Sequence, residues 1–192
     1  MARRPVASML VALGLVAAGA VVAASGARPG AEGQRADEYR VKAAFLFNFA
    51  KFVEWPATAF AAPAAPLNVC ILGVDPFGHA LDDTLRGRLV SGRSLAVRRI
   101  AEVEAGCHLL FISGSERRRL AVLTDEVRTG GVLTVSEEEG FTAMGGMIEL
   151  VTAGESIQFN ISPASIERAG LHASARLIAL AANQRHGSGG RR

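Results

Sequence analysis

Four short apolar runs recur through the middle of the chain, at residues 67–74 (LNVCILGV), 94–100 (SLAVRRI), 108–112 (HLLFI) and 131–135 (GVLTV). Each has the length of a strand and is too brief for a core helix. Helical patterns fill the gaps. One spans 77–86 after the Asp75-Pro76 turn; another spans 116–128, where Leu120, Leu123 and Val127 share an inward face with Val122 as a further candidate. Strands alternating with helices predict βαβ units, and therefore a largely parallel sheet covered on both faces.

The last third changes style. Residues 147–151 (MIELV) and 156–161 (SIQFNI) flank the turn 152–155, with Ile157, Phe159 and Ile161 on one face and Gln158 and Asn160 on the other. That alternation predicts a half-buried antiparallel strand. Pro163 opens a final helix to about residue 182, which Gly170 should weaken or break midway. The expected fold class is α/β: a mostly parallel central sheet, helices on both faces, and a C-terminal antiparallel hairpin plus helix.

The other long element is residues 37–55 (DEYRVKAAFLFNFAKFVEW), which holds six of the eleven aromatics. Asp37 suits an N-cap, and Pro56 restricts the residue before it, so the helix should stop at Trp55. At helical spacing Arg40, Asn48, Lys51 and Glu54 form one narrow polar face, and nearly everything else wants burial. Lys42 lies opposite that polar face. It either snorkels from the helix start or meets a buried carboxylate or a partner.

Residues 1–27 join Arg3 and Arg4 to a long apolar, small-residue stretch ending Ser25-Gly26-Ala27. The pattern is that of a cleaved signal peptide, with a membrane anchor as the competing reading. Residues 28–36 are Gly, Pro and polar and read as a loose linker, 37–182 as a single α/β domain, and 183–192 as a disordered tail. The pI near 9.4 does not mark a nucleic-acid binder. Removing the leader's two arginines from the 21 basic residues leaves 19 against 18 acidic ones, so no polyanion footprint remains.

Export makes disulfides permissible. Cys70 and Cys107 are too far apart for a CxxC motif, and the residues alone leave a bridge or two buried thiols open. The stretch 73–78 (GVDPFG) follows a strand and has P-loop glycine spacing, but His79-Ala80 stands where Lys-Ser/Thr must reach phosphate and magnesium. A tight strand-to-helix turn accounts for it better. Asp82 and Asp83 diverge on a helix, Glu137–Glu139 resemble an acidic first helical turn, and Arg117, Arg118 and Arg128 read as a solvated face. His79, His108, His172 and His186 show no metal-ligand spacing with the cysteines. No nucleophile, base and oxyanion site assemble, so neither an enzyme nor a cofactor or metal is expected.

The segments 39–56 (YRVKAAFLFNFAKFVEWP), 66–78 (PLNVCILGVDPFG), 145–151 (GGMIELV) and 159–181 (FNISPASIERAGLHASARLIALA) resemble the YfiR family of exported proteins. The resemblance implies a periplasmic regulator that binds the periplasmic domain of an inner-membrane diguanylate cyclase and holds it inactive. An OmpA-like outer-membrane lipoprotein would sequester the repressor, letting cyclic di-GMP and biofilm formation rise, and the repressor would be a homodimer. It also implies a Cys70–Cys107 disulfide. The second bridge of better-known members has no counterpart, since Gly145 and Thr152 occupy the expected stretch, and Ser162 stands where asparagine is commoner. Partner-contact residues are not assigned. The reading from another class is a periplasmic small-molecule binding protein, its ligand at the strand ends near Asp75–His79; an unrecognised hydrolase is a third.

Overall fold

The computed structural model describes the backbone of residues 29–154 and 156–188. The expected signal peptide, 1–27, lies outside them. In chain order the elements are α1 (Pro29–Phe52), β1 (Val53–Glu54), β2 (Leu67–Leu72), α2 (His79–Leu85), β3 (Leu89–Val90), β4 (Arg93–Ile100), β5 (Leu109–Ile112), α3 (Leu120–Glu126), β6 (Leu133–Ser136), β7 (Ile148–Ala153), β8 (Ser156–Ile161), α4 (Pro163–Arg168), β9 (His172–Ala173) and α5 (Ala175–Ser188). Seven strands form one sheet in the order β3-β4-β2-β5-β6-β7-β8. Its five central strands run parallel, while β3 and β8 close the edges antiparallel. The α/β class, the parallel centre and the C-terminal hairpin with its helix are all present.

Strand periodicity divides the core in two. In β2, Val69 and Ile71 join a cluster with α1, α2, α4 and α5, while Cys70 and Leu72 join a smaller cluster with α3. Strand β5 divides the same way, Leu109 and Phe111 against Leu110 and Ile112. Helices therefore cover both faces, and apolar residues at consecutive positions are what that burial demands. On α1, Ala43, Leu46, Phe49 and Ala50 are buried at the spacing of one helical stripe, and Phe49 meets Phe159 of β8 edge to face. The polar face of Arg40, Asn48, Lys51 and Glu54 is exposed as its spacing requires, though Val41 is exposed as well.

Several boundaries correct the sequence reading. Residues 29–36 are not a loose linker: α1 begins at Pro29, and Asp37 sits inside it, paired with Arg40. Proline at the first helical position is pre-organised, and Ala31, Glu32, Gln34, Arg35 and Ala36 outweigh the two glycines. The helix ends at Phe52 instead of Trp55, because Val53 and Glu54 pair antiparallel with Ala173 and His172. The helix expected over 116–128 starts as a 3-10 turn at Gly114–Arg119, capped by the Ser113 side chain. Glu137–Glu139 do not begin a helix. The return from β6 to β7 is a series of turns with Gly140 and Gly145 at positive φ, and Phe141 within it is buried in the cluster on the α3 side. Gly146 permits that, since a Cβ there would lie 2.4 Å from the Phe141 ring.

Gly170, at φ +73°, does break the final helical region, separating α4 from β9 and α5. The 183–192 tail is helical through Ser188, with the Gln184 amide oxygen accepting from the Phe159 backbone N–H; residues 189–192 lie outside the described ones. Cys70 and Cys107 are disulfide-bonded, joining the centre of β2 to the turn before β5. Among the described residues, no helix is long and apolar enough to cross a membrane.

The bridge closes a 37-residue separation. By loop-closure entropy it stabilises the fold by about 4 kcal/mol. Replacing both cysteines with alanine should lower the free energy of unfolding by about 3–4 kcal/mol in urea titration, and dithiothreitol should do the same to the unaltered protein while leaving the double variant unchanged.

Candidate functional site

Strand β2 lies between β4 and β5, so the chain leaves β2 by one face and β5 by the other. Helix α2 packs with the α1 cluster and α3 with the opposite one. A topological switch of this kind opens a crevice at the carboxyl ends of the strands. The structure has a cleft of about 1070 Å³ there, reached by the loops after β2, β5 and β6 and walled by the first turns of α1.

The loop after β2 is held rigid. Gly73 has φ +88°, and a Cβ on it would stand 2.3 Å from the Ser115 hydroxyl, so only glycine lets the β2 and β5 loops touch. Ser115 Oγ accepts the Val74 N–H at 3.0 Å. Asp75 Oδ1 accepts the Phe77 N–H at 2.7 Å, closing the turn, while its other oxygen takes the Arg99 Nε at 2.7 Å. Arg99, from β4, also donates to Asp82 at 2.5 Å and to the Gly78 carbonyl at 2.9 Å. The Arg99 hydrogen bond holds the Asp82 carboxyl below the usual carboxylate range. Asp75 and Asp82 thus fix the turn's shape, as a strand-to-helix turn requires. Pro76, Phe77, Gly78 and His79 line the cleft, and Asp75 faces Arg99 instead.

The opposite wall is a polar network. Lys42, only 3% exposed, meets Glu38 at 2.6 Å and Glu137 at 2.5 Å, so it does not snorkel to solvent but is paired inside with two half-buried carboxylates. Tyr39 donates its hydroxyl to Glu137 Oε1 at 2.9 Å, and Thr152 donates to Glu38 at 3.0 Å. Burial first, and the Glu137 charge second, push the Tyr39 hydroxyl well above its usual range, keeping it a proton donor. The Lys42 hydrogen bond lowers the Glu38 carboxyl. The Lys42 ammonium thereby ties α1 to the end of β6, the Glu38–Thr152 hydrogen bond ties it to β7, and Tyr39 and Glu137 line the cleft.

Sequence reasoning located the β2 loop but not the other wall. Lys42's odd helical position was the available signal; nothing local pointed to Glu137, which lies 95 residues away. The arginine run divides: Arg117 pairs with Glu138 and Arg119 with Glu102, while Arg118 is exposed. The Cys70–Cys107 bridge lies away from the cleft, toward the amino end of β5. Among the described residues no three His, Cys, Asp or Glu side chains gather to hold a metal ion.

His108, also near the amino end of β5, is buried and stacked on Phe60. Its Nδ1 accepts the Asn68 N–H at 3.0 Å, and Nε2 lies 3.2 Å from the Ala59 carbonyl, an arrangement that suits the neutral ring protonated on Nε2. Burial lowers its pKa.

Two outcomes follow from these geometries. Lys42→Met leaves Glu38 and Glu137 without their shared cation and should cost about 2–3 kcal/mol, less than for a fully buried pair because both carboxylates keep some exposure. Adding Glu137→Gln should recover part of that loss in the same urea titration. For His108, a folded pKa below the unfolded value of about 6.5 means stability present above that pH and lost as pH falls through the folded value. The melting temperature should therefore drop from pH 7.5 to 5, and drop less in His108→Asn, which keeps an acceptor for Asn68.

The family model described as YfiR/HmsC-like matches residues 39–182, which takes in every strand and helix placed above apart from the outer turns of α1 and α5. No curated protein matches the chain. With well over half its length covered by that one family, the chain belongs to the YfiR/HmsC-like family.

Proposed function

We propose that this protein is a periplasmic regulator that binds the periplasmic domain of an inner-membrane diguanylate cyclase and represses it, lowering cyclic di-GMP and biofilm formation. The observation that carries the reading is the family match across 39–182, nearly the whole folded domain. A disulfide set in the core of the sheet suits an oxidising compartment, as does the signal-peptide pattern of residues 1–27. In this reading an OmpA-like outer-membrane lipoprotein competes for the repressor, and the repressor acts as a homodimer.

Repression of this kind is mass action on a conformational equilibrium. The regulator shifts the cyclase only by its differential affinity for the off and on states. Moving the cyclase from nearly all on to nearly all off takes roughly a 10⁴-fold preference.

A second reading, a periplasmic small-molecule binding protein, is favoured by the cleft at the switch point near Asp75–His79. The two are compatible if a ligand biases the regulator.

Deleting the gene should raise cellular cyclic di-GMP, and restoring it should bring the level back. An unchanged level, under conditions where the protein is exported, would rule out the cyclase circuit and leave the ligand reading in front.

A further inference from the structure

We infer that the switch-point cleft is a site for a small organic anion with an apolar body. The inference rests on the ligand reading of this cleft and adds the chemical class that its walls select.

The charges around the cleft are unequally committed. Of its two carboxylates, Glu137 is held by Lys42 at 2.5 Å and by Tyr39, while Asp83 has an exposed partner one helical turn away in Arg86 at 2.9 Å. Two of its three guanidiniums have no such partner. Among the described residues, no carboxylate lies within ion-pair distance of Arg35 or Arg88, and both line the cleft. Arg88 is held instead over the ring of Phe47, 4.5 Å from its centre, which positions the group while leaving its charge unneutralised. Arg40, a third lining residue, has only an exposed partner one helical turn away in Asp37, a pairing of little strength. Arg35 and Arg40 come from α1 and Arg88 from the loop after α2, so the cations flank the opening from two elements.

The rest of the lining supplies the apolar contact. Val74, 71% exposed on the β2 loop, lines the cleft together with Pro76 of the same loop, Ala36 of α1 and Ala80 of α2. Cationic rim and apolar wall together match a molecule with a carboxylate, sulfonate or phosphate on a hydrocarbon or ring body. A bare inorganic ion would leave the wall unused, and a neutral ring would leave the guanidiniums unused.

The test uses the exported, disulfide-bonded protein and two fluorescent probes sharing one ring system: the anion 8-anilinonaphthalene-1-sulfonate and its neutral counterpart N-phenyl-1-naphthylamine. The anion should bind saturably at one site per chain. The neutral probe should bind about tenfold or more weaker, the scale of losing a charge-assisted hydrogen bond. Arg35→Glu with Arg88→Glu should weaken the anion by at least about tenfold, with circular dichroism confirming the fold, and the Lys pair should retain most of the affinity. Leu180→Asp, in the apolar groove between α1 and α5, should leave binding unchanged. Equal affinity for both probes, or loss of binding in Leu180→Asp but not in the arginine variant, would overturn the anion site while leaving a ligand site of another kind. No saturable binding of either probe would overturn the inference and the ligand reading together.

Discussion

Strand β2 is the constraint on which the rest of this structure depends. It is paired on both sides, to β4 and β5, and buried on both faces. Val69 and Ile71 serve one core cluster while Cys70 and Leu72 serve the other. A slip of one residue in register would exchange the two sets and put Cys70 on the face away from Cys107. The bridge and the double burial therefore enforce the same register. That register in turn sets Gly73 beside Ser115, which holds Val74 and Ser115 together on the lining of the cleft.

The second determinant is polar. Removing Lys42 from water is costly, and two carboxylates and an aromatic ring offset that cost: Glu38, Glu137, and the Tyr39 face 4.6 Å from its Nζ. Each of these groups comes to the same place for a different reason, Tyr39 and Glu38 from the helix period and Glu137 from the end of β6. The network thus fixes the N-terminal half of α1 at the carboxyl end of β6, while the rest of the helix packs on the sheet face. With α1 in that position Arg35 and Arg40 reach the cleft; on a loose linker over 28–36 Arg35 would not be placed.

Much of the architecture was legible in the residues. The alternation of apolar runs and helical patterns led to the parallel sheet, the period-two pattern of Ile157, Phe159 and Ile161 to the edge hairpin, and Gly170 to the helix break. The misreadings share a cause, since local composition was made to decide what packing decides. Pro29, Gly30 and Gly33 look like a linker, yet helix propensity in the intervening residues carries α1 through them. Val53 and Glu54 look like the end of a helix, yet a two-residue pairing with β9 competes for their backbone. Glu137–Glu139 look like a helix start, yet two of the three are turned toward Lys42 and Arg117.

By itself, then, the sequence determined the class of fold, the break at Gly170 and the family resemblance, because these rest on periodicities and residue patterns read along the chain. The tertiary structure decided which faces the helices cover, that Lys42 meets a carboxylate 95 residues away, and that the unpaired arginines share a cleft with Val74. Those depend on crossover handedness and strand order, which bring distant segments together and leave no local trace in the chain.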